Sequence, residues 1–288
     1  MLDFTPLAQC RFAVIGDPIA HTRSPQLQNP AFEAIGRGSI YGMLHVRPEE
    51  LGEFAAFAGE HLDGVNLTVP HKEKILPFLD TVSPEAALAH SVNTLVCREG
   101  KLHGYSTDGY GLTTAVQEAF GIVPQGLSAL FLGCGGATHA TAFYLALQGA
   151  SELFLVNRTV AKAEALAESL RQAVPALHVE CCSPADTEKI TGMLERAQLL
   201  IQATSVGLHT GDPLPLAEEL LAIHPEMAVF DTIYPATPFL RAAARQGHPV
   251  ADGRGMLLHQ GAKSFEIWTG EPAPVEVMRQ ALERSLQK

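Results

Sequence analysis

Between Ala119 and Ser151 the chain carries no Asp, Glu, Lys or Arg. An uncharged stretch of that length either crosses a membrane or is buried in a folded core. Pro124, Gly126, Gly133, Gly135 and Gly136 interrupt it, and the apolar period changes at the glycines. It therefore predicts a loop, a buried strand over SALFLG (128–133), a glycine turn and a buried helix over THATAFYLALQ, stopped at Gly149 as the C′ residue. Continuous apolar strands are buried on both faces, as in parallel sheets covered by helices.

The rest of the chain alternates in the same way. Strands are predicted over RFAVIG (11–16), SIYGMLHV (39–46), GVNLTV (64–69), ELFLVN (152–157), LHVECC, LLIQAT (199–204) and AVFDTIY (228–234), and as a pair within VNTLVCREGKLHGYS (92–106) about Glu99-Gly100. Ser24-Pro25 reads as an N-cap with proline at the first helical position. Pro48-Glu49-Glu50 begins a helix through Phe57, Asp108-Gly109 opens another, and VAKAEALAESLRQAV (160–174) is a third. GMLLHQGAKSFEIWTG and VEVMRQALERSL close the chain as helices. The fold class is α/β with two domains, one of residues 1–108 plus 253–288 and one of residues 109–252.

A length of 288 residues with 47% hydrophobic composition is enough for two cores. The net charge of −11 and the lack of a basic run argue against nucleic acid and anionic membranes as partners. Five cysteines without a C-x-x-C pair suit a reducing compartment. The opening MLDFTPLAQCR lacks a signal-peptide core, so the expected location is cytoplasmic. Twelve histidines form no metal-ligand spacing, so no metal is expected.

FLGCGGATHA orders a strand, a glycine turn and a helix as dinucleotide binding requires. Glycines let the backbone approach a pyrophosphate, whose charge then meets a helix N-terminus. The third glycine of the usual pattern is replaced by Thr138, so the turn alone is a weak signal. The next strand end holds Asn157-Arg158-Thr159 and then Lys162, where an NAD site usually has a carboxylate for the ribose. Two cations at a helix start oppose the macrodipole unless an anion joins them. The pattern therefore favours a 2′-phosphate and NADP(H).

Polar clusters fall at strand ends of the first half: Thr22 and Ser24; Asn66, Thr68 and Lys72; Asn93 and Thr94; Ser106, Thr107 and Asp108. Each residue has a plainer reading taken singly, as a helix cap, a turn former or a surface lysine. Together they offer a lysine and a carboxylate to move an alcohol proton, and hydroxyls and carboxamides to hold a polyhydroxylated ligand.

With these motifs in order, the chain resembles the shikimate dehydrogenases, which reduce 3-dehydroshikimate to shikimate with NADPH. The motifs are VIGDPIAHTRSP, GVNLTVPHKEK, SVNTL, GYSTDGYGL, GCGGATHA, NRTVAK, ATSVGL, FDTIY and ADGRGMLLHQGA. The resemblance implies an α/β substrate domain, completed by the C-terminal helices, and a Rossmann domain across a closable cleft. It implies Lys72 and Asp108 as the catalytic pair, with Lys72 transferring the proton. It implies Thr22 and Ser24 on the substrate carboxylate, Asn66, Thr68, Asn93 and Gln260 on ring hydroxyls, and Tyr234 on the substrate side. For the cofactor it implies Gly133, Gly135, Gly136 and Ala137 at the diphosphate, and Asn157, Arg158, Thr159 and Lys162 at the adenosine phosphate. Thr204, Gly253 and Met256 fall near the nicotinamide. A monomer or homodimer is expected.

Three positions depart from the family pattern: Thr22 for serine, Ser106 for asparagine before Thr107-Asp108, and Gln202 for asparagine before Ala203-Thr204. Two rival readings accompany the resemblance. One is a broader quinate/shikimate dehydrogenase using NAD(P), to which the Thr22 methyl group points; the carboxylate-free NRT segment argues against NAD. The other is a non-catalytic sensor of NADP or shikimate, against which the retained Lys72 and Asp108 argue.

Overall fold

The structure, a computed structural model, describes residues 2–209 and 211–287. The chain forms two compact units, Met1–Gly111 with Leu258–Lys288, and Leu112–Leu257.

In chain order the first unit contains β1 (Phe12–Gly16), α1 (Ser24–Ala34), β2 (Tyr41–His45), α2 (Leu51–His61), β3 (Gly64–Leu67), α3 (His71–Lys74), β4 (Thr81–Val82), α4 (Pro84–Leu88), β5 (Thr94–Arg98), β6 (Lys101–Tyr105) and the start of α5 (Asp108–Phe120). The second unit continues with β7 (Ser128–Leu132), α6 (Gly136–Leu147), β8 (Glu152–Val156), α7 (Val160–Ala173), β9 (His178–Cys182), α8 (Thr187–Leu194), β10 (Leu199–Gln202), α9 (Glu218–Leu221), β11 (Ala228–Asp231), α10 (Pro238–Arg245) and β12 (Val250–Ala251). The helices α11 (Arg254–Thr269) and α12 (Val275–Leu286) end the chain.

The sheet of the first unit runs β2-β1-β3-β5-β6-β4. It is mixed, because β5 lies antiparallel to both β3 and β6. The β5–β6 hairpin turns at Glu99 and Gly100, both at positive φ (52° and 76°), as a two-residue hairpin requires. Alternation gives the sheet two different faces. Ala13, Ile15, Val65 and Leu67 point into an apolar core with Leu51, Phe54 and Ala58 of α2. On the other face Phe12 stacks on Phe32 of α1 and meets Trp268 of α11, with centroids 4.6 and 5.0 Å apart. Gly64 allows this packing: a Cβ there would lie 2.3 Å from Trp268 Nε1.

The second sheet is wholly parallel in the order β12-β11-β10-β7-β8-β9. That is the doubly wound dinucleotide-binding order, in which the order of strand addition reverses between β7 and β10. Residues 119–151 form the end of α5, a loop, β7, the glycine turn and α6. Gly149, at φ 95°, ends α6: its N–H donates to Ala146 O and that of Ala150 to Leu145 O, a Schellman stop. No helix of the described residues is long and apolar enough to cross a membrane.

Two local expectations shift. Ser24 is the first residue of α1 rather than its cap, since its hydroxyl is bonded elsewhere. Thr68 stands just past β3, although its N–H still donates to Ile15 O at 3.0 Å.

Candidate active site

The first unit gathers its polar residues on the sheet face that carries Asn66. Register places Asn66 opposite Thr94 on β5, so the two side chains share that face. Asp108 heads α5 and is 4% exposed. Its Oδ2 accepts a hydrogen bond from Lys72 Nζ. Its Oδ1 accepts from Asn93 Nδ2 at 2.8 Å. One carboxylate therefore holds a cation and an amide, one on each oxygen. The lysine retains some solvent access, its side chain being 19% exposed, so the pair can exchange a proton with a ligand.

Lys72 lies on α3, a single turn that could not hold its place by propensity. His71 anchors it. That ring is fully buried and its Nε2 lies 2.6 Å from Val46 O, a carbonyl that can only accept. Burial lowers the His71 pKa below its ordinary value, against the smaller opposing effect of the Val46 bond. The neutral ring donates through Nε2, and Lys72 O accepts the Val92 N–H at 2.9 Å on the other side.

The polar network continues beneath the pair. Asn93 Oδ1 accepts the Thr107 N–H at 2.8 Å, and Asn93 Nδ2 reaches Gln260 Oε1 at 3.3 Å. Thr94 Oγ1 lies 2.8 Å from Ser264 Oγ of α11. Asn66 Nδ2 donates to Asn93 O, Thr94 Oγ1 and Ser264 Oγ at 3.0–3.2 Å. Tyr41 Oη donates to Asn66 Oδ1 at 2.7 Å. Thr22 Oγ1 lies 3.2 Å from Ser24 Oγ. Asn66, Lys72, Asn93, Asp108 and Gln260 are thus joined in one array, and Thr22 and Ser24 form a bonded pair. Thr68 is half-buried, and its methyl packs against Gly16, where a Cβ would lie 2.5 Å away. Tyr41, His71 and Ser264 were not read from the sequence. Tyr41 and Ser264 sit on segments that otherwise read as apolar, and only pairing across the fold gives them a role.

The second unit holds the glycine turn at the switch point. Gly133 follows β7 at φ 95°, and a Cβ there would lie 2.7 Å from Thr204 Cγ2. Any side chain would collide with the segment leaving β10. Thr138, at the third glycine position, is fully buried and its hydroxyl donates to Gly133 O at 2.8 Å. It closes the turn by a bond where glycine would close it by lack of bulk. At Gly135, the N-cap of α6, a Cβ would meet nothing within 4 Å. The first-turn N–H groups of α6 have no partner within the helix and face that space. The Cys134 thiol in the turn is pushed up to about 12 by burial, so it stays uncharged.

Asn157 braces the loop after β8. Its Oδ1 accepts the Cys134 N–H at 3.0 Å and its Nδ2 donates to Thr159 O at 2.8 Å. Arg158, Thr159 and Lys162 are exposed beside the start of α7. The glycine turn, the open helix terminus and exposed cations without a neighbouring carboxylate fit a dinucleotide phosphate. Thr204 is held by Gln202, whose Oε1 accepts from Thr204 N and Oγ1 at 2.9 Å each. Gln202 Nε2 donates to Val206 O at 2.8 Å. Tyr234 lies in this unit, packed near Gly253, and Met256 is nearly buried on α11.

Comparison with known proteins agrees with both halves. The shikimate dehydrogenase substrate-binding domain matches residues 14–95. Shikimate/quinate 5-dehydrogenase matches residues 115–209, and the shikimate 5′-dehydrogenase C-terminal domain matches residues 253–283. Shikimate dehydrogenase (NADP(+)) of Methanopyrus kandleri is 39% identical over 93% of each chain. The shikimate 5-dehydrogenase of Thermus thermophilus, solved with NADP(H) and shikimate, superposes with TM-score 0.84 at 37% identity, covering 96% of this chain and 99% of that one. The Listeria monocytogenes enzyme, solved with shikimate and NAD, gives TM-score 0.86 at 32% identity, with 96% and 97% covered. Identity at this level along almost the whole length, on the same architecture, means that the chain belongs to the shikimate dehydrogenase family.

Proposed function

We propose that this protein is an NADP-dependent shikimate dehydrogenase, catalysing the reversible reduction of 3-dehydroshikimate to shikimate on the route to aromatic amino acids. The observation that carries the reading is the Lys72–Asp108 pair within the buried polar array. A sensor would need the array but not a lysine held against a buried carboxylate.

Residues 1–108 together with residues 253–288 bind the substrate, and residues 109–252 bind the cofactor. Thr22 and Ser24 hold the carboxylate. Asn66, Thr68, Asn93, Gln260 and Tyr234 serve the ring side. Gly133, Gly135, Gly136 and Ala137 receive the diphosphate. Asn157, Arg158, Thr159 and Lys162 form the 2′-phosphate side, and Thr204, Gly253 and Met256 the nicotinamide side. When bound, NADPH supplies the hydride for the ring carbonyl carbon. Lys72 delivers the proton to the carbonyl oxygen as it gains charge, and takes it back in the reverse direction. Asp108 aims Lys72 and compensates its charge, and Asn93 fixes the carboxylate through its second oxygen. Five unpaired thiols suit a cytoplasmic setting.

The test is a spectrophotometric assay of the purified protein with shikimate and quinate, each with NADP and NAD. Turnover of shikimate with NADP is expected to exceed the other three combinations. Its absence sinks the proposal. Comparable rates with quinate support the broader reading that the Thr22 methyl group raises.

A further inference from the structure

We infer that the Tyr41 hydroxyl is a positioning group that orients the Asn66 carboxamide so that Asn66 meets the substrate as a hydrogen-bond acceptor. The inference deepens the function proposed above and rests on it. The direction of each bond follows from which atoms can only accept. Asn93 O is a backbone carbonyl 3.1 Å from the Asn66 amide, so it must face the nitrogen. Ser264 Oγ and Thr94 Oγ1 lie on the same side at 3.0 and 3.2 Å. Both N–H bonds of Asn66 are therefore committed to the protein interior. Its Oδ1 faces Tyr41 Oη at 2.7 Å, and the phenol must donate.

The result is a directed bond from Tyr41 to Asn66. What Asn66 leaves for a ligand is the second lone pair of Oδ1, which suits a ring hydroxyl as donor. Burial raises the Tyr41 pKa well above its ordinary value, so the phenol keeps the proton it donates to Asn66. The ring is 3% exposed and lies 6.0 Å from Trp268, so Tyr41 acts through its neighbours rather than by touching the substrate.

Tyr41→Phe removes one oxygen and keeps the ring. The KM for shikimate should rise about 3- to 10-fold, the range of one neutral hydrogen bond. The kcat and the KM for NADP should change by less than about 2-fold, because the Lys72–Asp108 pair and the nucleotide site are untouched. In an Asn66→Ala background the Tyr41→Phe effect should largely vanish, because the two act as one unit. An unchanged KM for shikimate in Tyr41→Phe, additive effects in the double variant, or an equal rise in both KM values each overturn the inference. Wild-type protein that does not turn over shikimate overturns the proposed function as well, so the two failures are told apart by the wild-type arm.

Discussion

Arg158→Ala tests the cofactor assignment most directly. Arg158 is exposed at the end of β8, and Asn157 ties its loop to Cys134 on one side and Thr159 on the other. Removing the guanidinium should leave those two bonds, and hence the loop, in place. The loss is then that of a charge-assisted hydrogen bond to a 2′-phosphate, about 1.5–3 kcal/mol. That converts to a rise in KM for NADP of roughly 10- to 150-fold. NAD lacks the phosphate, so its KM should move by less than about 2-fold. Exposure adds a second signature: the penalty should shrink with salt, as the screening length falls to about 3 Å at 1 M. Initial rates at saturating shikimate, with each cofactor titrated at two ionic strengths, measure all of this. Equal changes for NADP and NAD would mean that Arg158 serves the loop or the adenine rather than the phosphate. No change for either would refute the assignment.

Three other outcomes are expected. Lys72→Ala should lower kcat by about 10²- to 10⁴-fold while NADP still binds, and near-normal turnover would remove the lysine from the chemistry. Gly64→Ala places a Cβ 2.3 Å from Trp268 Nε1, whose N–H donates to Leu95 O at 2.8 Å. Overpacking of this kind costs about 1–3 kcal/mol, so an unchanged melting temperature would contradict the packing described. His71 binds its proton less readily in the folded protein than in the unfolded chain, whose ordinary value is 6.5. Its contribution to stability is complete above that value and is lost progressively as pH falls from it through the lower folded-state value. The urea midpoint should therefore drop from pH 7.5 to 5.5, and drop less in His71→Gln; parallel curves for the two proteins would count against it.

Legibility followed the range of each interaction. The elements from β7 to α7 were readable because their signals are local: apolar runs, a glycine turn, a Gly149 stop. Short elements such as β4, β12 and α9 were not, because two to four residues carry no period. α10 carried a signal that went unread, Thr237 capping Leu240 N with Pro238 behind it. Similarly, the antiparallel insertion of β5 beside β3 is a pairing choice, and pairing between strands leaves no mark on either strand alone.

The sequence by itself determined the alternation of strand and helix, the glycine turn, the absence of an acid after β8, and Lys72 and Asp108 as candidates. Each is written in residue type and spacing, which act within a few positions. Only the tertiary structure decided that Lys72 and Asp108 meet, that Asn93 holds the far carboxylate oxygen, and that Tyr41 and Ser264 grip Asn66 from either side. Those contacts join residues up to 198 positions apart. A buried polar atom takes whatever partner the packing brings to it, and it must take one to offset lost water.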